Sequence, residues 1–159
     1  MKLPDGKDRS GAAVKVEPPV FFVALIGAGW FLGRFVPLPV PGGPLRIVIG
    51  AAAAVTALTL FAWSVGLFLR SGQHPAPWTR TPSLIGAGPY RFTRNPMYLA
   101  MTVLHAAIGI LAGNAWIAAG SLVALSIVHV LAVLPEEAYL AARFGADYAR
   151  YRQRVRRYI

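Results

Sequence analysis

Long apolar runs separated by short polar segments dominate the pattern of this chain. The first run extends from Val20 to Val36 and is closed by the proline-rich turn Pro37–Pro44, because proline cannot continue a helix. The second run, Ile47–Leu69, contains no charged residue and corresponds to roughly 35 Å of helix at about 1.5 Å per residue. The pattern predicts two transmembrane helices within residues 20–69.

A third apolar stretch extends from Tyr98 to Leu134 and is interrupted by Gly113-Asn114, a pair that suits a tight turn. We expect an antiparallel helical hairpin here. Its first leg, Tyr98–Gly113, is only about 24 Å long, less than the roughly 30 Å hydrocarbon core of a bilayer. The start of this leg should therefore lie below the lipid headgroups.

The last segment, Glu136–Arg157, places apolar and aromatic residues at near-helical spacing with arginines between them. This spacing is typical of an interfacial amphipathic helix. The whole pattern predicts an all-α polytopic membrane protein with about four transmembrane helices plus a C-terminal interfacial amphipathic helix.

Composition supports a membrane protein and excludes several other classes. The 159 residues are 56% hydrophobic and 14% charged, and the mean hydropathy is +0.53. The net charge of +10 comes from basic residues that flank apolar runs, which does not indicate nucleic-acid binding. The chain has no cysteine, so disulfides, thiolate metal sites and cysteine nucleophiles are excluded.

The distribution of Lys and Arg predicts the topology. The N-terminal tail 1–19, the loop 70–96 and the C-terminal segment hold four, four and six of them, whereas the opposite side holds Arg34 and Arg46. The positive-inside rule then makes both termini cytoplasmic. No small-residue cleavage site follows the first apolar run, so we expect a retained cytoplasmic tail.

Polar motifs beside apolar helices point to chemistry, because such groups are costly there without a function. They are Gly88-Pro-Tyr-Arg-Phe-Thr-Arg-Asn-Pro-Met-Tyr98, Leu134-Pro-Glu-Glu137, and Phe144-Gly145-x-x-Tyr148-x-x-Tyr151-x-x-x-Val155. With a hairpin between the first two, the ordered set resembles the isoprenylcysteine carboxyl methyltransferase and phospholipid methyltransferase superfamily over residues 73–157. Residues 70–159 then form a methyltransferase-like region.

The resemblance implies methyl transfer from S-adenosylmethionine to a lipophilic acceptor at the cytoplasmic membrane interface, with membrane lipids as partners. The resemblance to bacterial members of the superfamily also implies an integral protein of the bacterial inner membrane. The acceptor is either a carboxylate or a phospholipid amine. A carboxylate needs no deprotonation, which suits Asn95 where many relatives have histidine, whereas Asn-Pro-Met-Tyr resembles the amine-methylating branch. A membrane reductase that uses NADPH and a non-catalytic lipid-binding adaptor remain as alternatives.

The resemblance also implies site residues. Arg94 and Asn95 are the catalytic pair, and the cofactor-binding residues are Gly88, Tyr90, Pro96, Tyr98, Glu136 and Glu137. The chemistry of Arg94 suits a carboxylate, because a guanidinium makes paired charge-assisted hydrogen bonds. On a helix the two glutamates point about 100° apart and should face different partners. Alternatively, both acids stabilise a helix start after Pro135.

The remaining polar residues have simpler interpretations. His105 and His129 are expected to be neutral core residues, and no metal site is expected. His74 lies in a loop that resembles the substrate-side segment of bacterial relatives, or is an ordinary loop residue. Gly29-x-x-x-Gly33 and Gly109-x-x-x-Gly113 predict close helix packing, within the chain or between protomers.

Overall fold

The computed structural model describes residues 11–159, so part of the expected N-terminal tail, residues 1–10, lies outside the described residues. The α-helices are α1 (Pro18–Phe35), α2 (Gly43–Arg70), α3 (Pro96–Ala112), α4 (Ala115–Val128), α5 (Leu134–Phe144) and α6 (Ala146–Arg154). A 3-10 turn covers Gly88–Arg91 and a π-helical turn covers His129–Val133. Between residues 11 and 159 the β-structure amounts to two isolated bridges, so the all-α prediction is confirmed.

Three helical stretches within the described chain are long and apolar enough to cross a membrane: Pro18–Phe35, Gly43–Arg70 and Ala115–Phe144. The fourth apolar helix, Pro96–Ala112, is shorter, as expected for the first leg of the hairpin. At most 33% of the apolar window of any of the three long helices is buried inside the protein. Such exposed apolar faces are stable against lipid, and the chain is a membrane protein.

One of two compact units, here called the bundle unit, comprises Glu17–Phe61 and Met97–Val128. Helix α1 packs against α4 in this unit. A Cβ atom on Gly29 would lie 2.8 Å from the main-chain nitrogen of Ile117, and one on Gly109 would lie 2.2 Å from that of Ala118. The glycines therefore let helix backbones touch, and the packing predicted within the chain is confirmed.

The hairpin turn at Gly113-Asn114 is also confirmed. Gly113 ends α3 with a φ of 67°, which favours glycine. The Oδ1 atom of Asn114 accepts hydrogen bonds from the main-chain nitrogens of Trp116 (3.0 Å) and Ile117 (3.2 Å). Asn114 thus satisfies two of the free N–H groups that start α4.

The other unit, here called the loop unit, comprises residues 11–16, Ala62–Pro96 and His129–Ile159. Most of Ala62–Pro96 beyond the end of α2 has no α-helix, as the glycines and prolines predict. The main-chain nitrogen of Gly11 donates a 2.8 Å hydrogen bond to the carbonyl of Trp78, and that of Ala12 donates one of 2.8 Å to the carbonyl of Pro77. The described end of the N-terminal tail is therefore bound to this loop.

The π-helical turn His129–Val133 lets the helix pass Pro135. Proline has no N–H group, and its ring crowds the carbonyl four residues earlier, so a wider turn just before it relieves the conflict. Because of this wider turn, the helical stretch continues without a break from Ala115 to Phe144. Glu136 and Glu137 do not lie at a free helix start, which removes the main argument for the helix-dipole interpretation.

The C-terminal amphipathic segment differs from the prediction of one helix. Helix α5 continues the membrane-spanning helix, and Gly145, with φ 50° and ψ −118°, separates it from α6. A residue with a side chain rarely adopts this conformation. The apolar spacing continues across Gly145, so periodicity alone did not reveal the break.

Candidate functional site

A buried carboxylate, Glu137 of α5, lies between two arginines in the loop unit. Arg157 forms a two-point contact with it: Nε lies 3.0 Å from Oε1 and Nη2 lies 2.8 Å from Oε2. Arg94 approaches from the other side, with Nη2 3.1 Å from Oε1. The side chains of Arg94 and Glu137 are only 9% and 10% exposed, so the pair is shielded from water and its geometry is fixed.

The end of the chain is clamped to the segment that carries Arg94. The main-chain nitrogen of Arg94 donates to the carbonyl of Arg156 at 2.9 Å. The carbonyl of Arg157 accepts hydrogen bonds from Thr93 Oγ1 (3.0 Å) and Asn95 Nδ2 (3.1 Å). Asn95, a predicted catalytic residue, therefore uses its amide to hold the chain end.

Arg94 retains two donors beyond its ion pair. Its Nε and Nη1 atoms are buried and have no hydrogen-bond partner within residues 11–159. The hydroxyl of Tyr90 is also buried and has no hydrogen-bond partner among the described residues. Buried donors are normally paired, and leaving one unpaired costs about 1–3 kcal/mol. The three donors therefore indicate a place for a ligand with acceptor atoms.

The side chains of Arg94 and Tyr90 line a cavity of about 50 Å³ in the loop unit. Its walls are formed by Phe68, Thr81, Ser83, Leu84, Ile85, Tyr90, Arg94, Glu136, Leu140 and Tyr151. One water needs roughly 10–15 Å³ by the same measure, so the cavity accepts the polar end of a ligand rather than a whole nucleoside. Its apolar side chains limit access of water to the charges.

The two neighbouring glutamates lie in different surroundings. Glu137 binds the arginines, whereas Glu136 lines the cavity beside Tyr90. Burial, and after it the charges of Glu136 and Tyr151, raises the pKa of Tyr90 above its usual value. The phenol of Tyr90 therefore remains a neutral donor at physiological pH.

Packing holds Tyr90 in place. Its ring lies edge-on to Phe68, with 5.8 Å between the ring centroids, and its carbonyl accepts a hydrogen bond from the Tyr151 hydroxyl. A Cβ atom on Gly88 would lie 2.9 Å from Leu67 Cδ1, and the φ of Gly88 is 54°. Gly88 thus has a packing reason to be glycine, and its predicted contact with a cofactor stays a prediction.

The last two predicted site residues lie at the start of α3. Pro96 is buried and begins the helix, directly after the clamped segment. Tyr98 is also buried and belongs to the bundle unit, where its carbonyl accepts a hydrogen bond from Thr102 Oγ1 at 2.9 Å. The loop unit itself brings together Gly88, Tyr90, Arg94, Asn95, Glu136 and Glu137.

The sequence analysis missed Arg157. It is one of six arginines near the C-terminus, and spacing alone does not distinguish it from the exposed ones. The hydrogen bond with Glu137 raises the pKa of Arg157 further above its usual value. Among the described residues, no three histidine or carboxylate side chains lie close enough together to hold a metal ion.

The fold and the site define an all-α integral membrane protein with a small cavity, lined by both charged and apolar side chains, between a loop and its C-terminal helices. The family model for phospholipid methyltransferase matches residues 43–147, from the start of α2 into α6. The chain belongs to the phospholipid methyltransferase family. The match includes the second apolar helix as well as most of the motif region.

One curated relative is an uncharacterized protein from Haemophilus influenzae, 32% identical over 63 residues. These cover 40% of this chain and the whole of that protein. No solved structure matches the chain. The family makes this chain an enzyme, a membrane methyltransferase that acts on a lipid-related substrate.

Proposed function

We propose that the chain transfers a methyl group from S-adenosylmethionine to a lipophilic acceptor, and that the cavity beside Arg94 receives the polar end of the cofactor. The observation that carries this proposal is a set of buried donors that find no hydrogen-bond partner within residues 11–159: Nε and Nη1 of Arg94 and the hydroxyl of Tyr90. These donors match a carboxylate, and Glu136 on the same wall matches an ammonium group.

The residues of this chain then have distinct tasks. When bound, S-adenosylmethionine supplies a methyl group on a positively charged sulfur. Arg94 and Tyr90 hold its carboxylate, Glu136 complements its positive charge, and the apolar cavity wall limits water. Asn95 is a positioning residue, because its amide holds the carbonyl of Arg157. In-line displacement needs this orientation more than it needs a protein nucleophile.

The acceptor is a lipid or lipophilic molecule with its reacting group at the cytoplasmic interface. The helical stretch from Ala115 to Phe144 is about 45 Å long, roughly 15 Å more than the thickness of the hydrocarbon core. This excess length supports placing α5 at the membrane interface. Asn95, whose amide does not titrate near neutral pH, stands where many relatives have histidine. This favours a carboxylate acceptor, which needs no base, and an amine headgroup is the second candidate.

The test is calorimetric titration of the protein in nanodiscs with S-adenosylmethionine, S-adenosylhomocysteine and, for the reductase alternative, NADPH. We expect saturable binding of the first two and at least tenfold weaker binding in Arg94→Gln. Arg91→Gln is the matched control, because Arg91 is exposed and three residues away. Binding of NADPH alone would favour a reductase, and binding of none by folded protein would favour the adaptor.

The acceptor is tested separately with cofactor labelled in the methyl group. Vesicles containing phosphatidylethanolamine test an amine acceptor, and vesicles containing a long-chain fatty acid test a carboxylate. We expect base-labile label on the fatty acid, because methyl esters hydrolyse in base and methylamines do not. Label retained on the phospholipid headgroup after base treatment would assign the amine instead.

A further inference from the structure

Arg157 occupies the carboxylate of Glu137 more completely than Arg94 does. The fork of Arg157 uses both oxygens of Glu137, at 3.0 and 2.8 Å, whereas Arg94 shares only Oε1 through Nη2. A guanidinium beside a buried carboxylate ordinarily forms the two-point contact itself. Arg157 holds that position in this protein.

The consequence is that one edge of the Arg94 guanidinium, formed by Nε and Nη1, makes no hydrogen bond within residues 11–159. We call it the free edge of Arg94. Nη2 faces Glu137, while Nε and Nη1 are buried without a partner in the described part of the chain. Arg94 also lines the 50 Å³ cavity with Tyr90. The free edge of Arg94 is therefore already shielded from water. Binding of a ligand there costs little additional free energy for desolvation of the arginine.

We propose that Arg157 is a positioning residue: by occupying both oxygens of Glu137 it keeps the Nε and Nη1 donors of Arg94 available for an oxyanion of the ligand. Without the fork of Arg157, Oε2 of Glu137 loses its donor, and a buried carboxylate that lacks a donor is strongly destabilised. Arg94 is the nearest replacement, and turning to pair with both oxygens withdraws its donors from the cavity.

The main chain fixes Arg157 independently of its side chain. Its carbonyl accepts from Thr93 Oγ1 and Asn95 Nδ2, and the neighbouring Val155 is buried. A substitution at position 157 therefore removes the fork while these main-chain contacts remain.

The first experiment observes Arg94 directly, without any ligand. The side-chain Nε–H signals of nitrogen-15-labelled arginine are recorded by NMR, and the Arg94 signal is assigned by its loss in Arg94→Lys. In Arg157→Gln we expect the Arg94 proton to shift downfield and to exchange more slowly with water, because it becomes bonded to Glu137. Arg154→Gln, an equal charge change at an exposed residue of α6, should leave the signal in place.

A second variant covers the case in which Arg157→Gln does not fold. Arg157→Lys keeps the charge but offers a point donor instead of a fork, so it frees one oxygen of Glu137. We expect a smaller shift of the Arg94 signal in the same direction. An Arg94 signal that stays unchanged in the folded variants overturns the proposal.

The second experiment measures which oxyanion binds to the free edge of Arg94, and this part rests on the proposed function. S-adenosylhomocysteine carries a carboxylate, and 5′-methylthioadenosine lacks the amino-acid portion. We expect Arg157→Gln to raise the Kd of the former about tenfold and to leave that of the latter unchanged. Palmitate serves as the acceptor-side probe, and selective loss of its binding would assign the edge to the acceptor carboxylate.

The outcomes separate the two proposals. If the wild-type protein binds palmitate but not S-adenosylhomocysteine, and palmitate binding depends on Arg157, the proposed cofactor is wrong and the role of Arg157 stands. If the Arg94 signal moves but neither carboxylate ligand loses affinity, the free edge is not used and the role of Arg157 is rejected. The same conclusion follows if the wild-type protein binds neither ligand.

Discussion

The hydroxyl of Tyr151 donates a 2.8 Å hydrogen bond to the main-chain carbonyl of Tyr90. This bond ties α6 to the 3-10 turn that precedes Arg94, and both tyrosines line the cavity. The C-terminal helix is thereby attached to the site at two places, here and at the chain-end contacts with Thr93, Arg94 and Asn95. Helix α6 is part of the site rather than only a membrane-surface anchor.

Removing the Tyr151 hydroxyl should therefore loosen the site. Tyr151→Phe leaves the ring in place and deletes one hydrogen bond, for which we expect a loss of about 1 kcal/mol in the free energy of unfolding. Thermal unfolding in detergent measures it. Tyr139→Phe is a matched control, because the Tyr139 hydroxyl accepts a longer bond, 3.2 Å, from the nitrogen of Thr81. A larger loss in Tyr139→Phe than in Tyr151→Phe would contradict this ranking.

Alkaline pH should destabilise the loop unit. Burial is the main cause that raises the pKa of Tyr148 and of Tyr151 to about 12, against 10.0 for the unperturbed phenol. Above about pH 10 the unfolded chain releases these protons first, so stability falls as the pH rises from about 10 to 12. Unfolding midpoints between pH 7 and about 12 measure this effect.

The tyrosine variants give the control for this pH dependence. Tyr151→Phe removes one titrating phenol, so its stability should decline less steeply above about pH 10 than that of the wild type. Tyrosinate absorbance followed in the same titration shows when the phenols ionise. Full ionisation near pH 10 with no loss of structure would show that burial does not raise these pKa values.

The two neighbouring glutamates should differ in what their substitution costs. Glu137→Gln leaves the buried guanidinium of Arg94 and the partly exposed guanidinium of Arg157 without a carboxylate, for which we expect about 1–3 kcal/mol of lost stability. Glu136→Gln changes the cavity wall and should mainly weaken cofactor binding, about tenfold. Unfolding and calorimetric titration of both variants separate the effects. Equal loss of stability in both variants would reject the division of roles.

The glycines on either side of Ala87 offer a matched pair. Gly88→Ala forces a positive φ on alanine and places its Cβ 2.9 Å from Leu67 Cδ1 and 3.0 Å from Trp63 Nε1, so we expect a loss of about 1–3 kcal/mol. In Gly86→Ala the nearest side-chain atom lies 3.9 Å away, on Tyr151, and stability should change by about 0.5 kcal/mol or less. A reversed order would show that the Gly88 conformation is not required.

The sequence predicted the helices well because the signals are local. Apolar runs, the proline-rich turn and Gly113-Asn114 each depend on a few adjacent residues, and α1 to α3 begin and end close to the expected positions. Gly145 was missed because a single glycine inside a periodic pattern does not reveal its backbone angles. The π-helical turn before Pro135 is a response to a ring clash that hydropathy does not report.

The site could be predicted only in part, for a different reason. The motifs gave Arg94 and both glutamates, but which carboxylate faces the cavity depends on how α5 is rotated against the loop. Arg157 pairs with a residue 20 positions earlier and is chemically identical to the exposed arginines around it. Such a pairing is set by tertiary structure, and no local pattern encodes it.

The clamp between the chain end and the Thr93–Asn95 segment also has a kinetic consequence. Asn95 and Arg157 are separated by 62 residues in the chain, so their contact closes a long loop and should form late in folding. The helices that lie between them have to be inserted and paired before the carbonyl of Arg157 can reach Asn95. A partly folded chain would therefore hold its helices in the bilayer while the contacts around Arg94 are still unassembled.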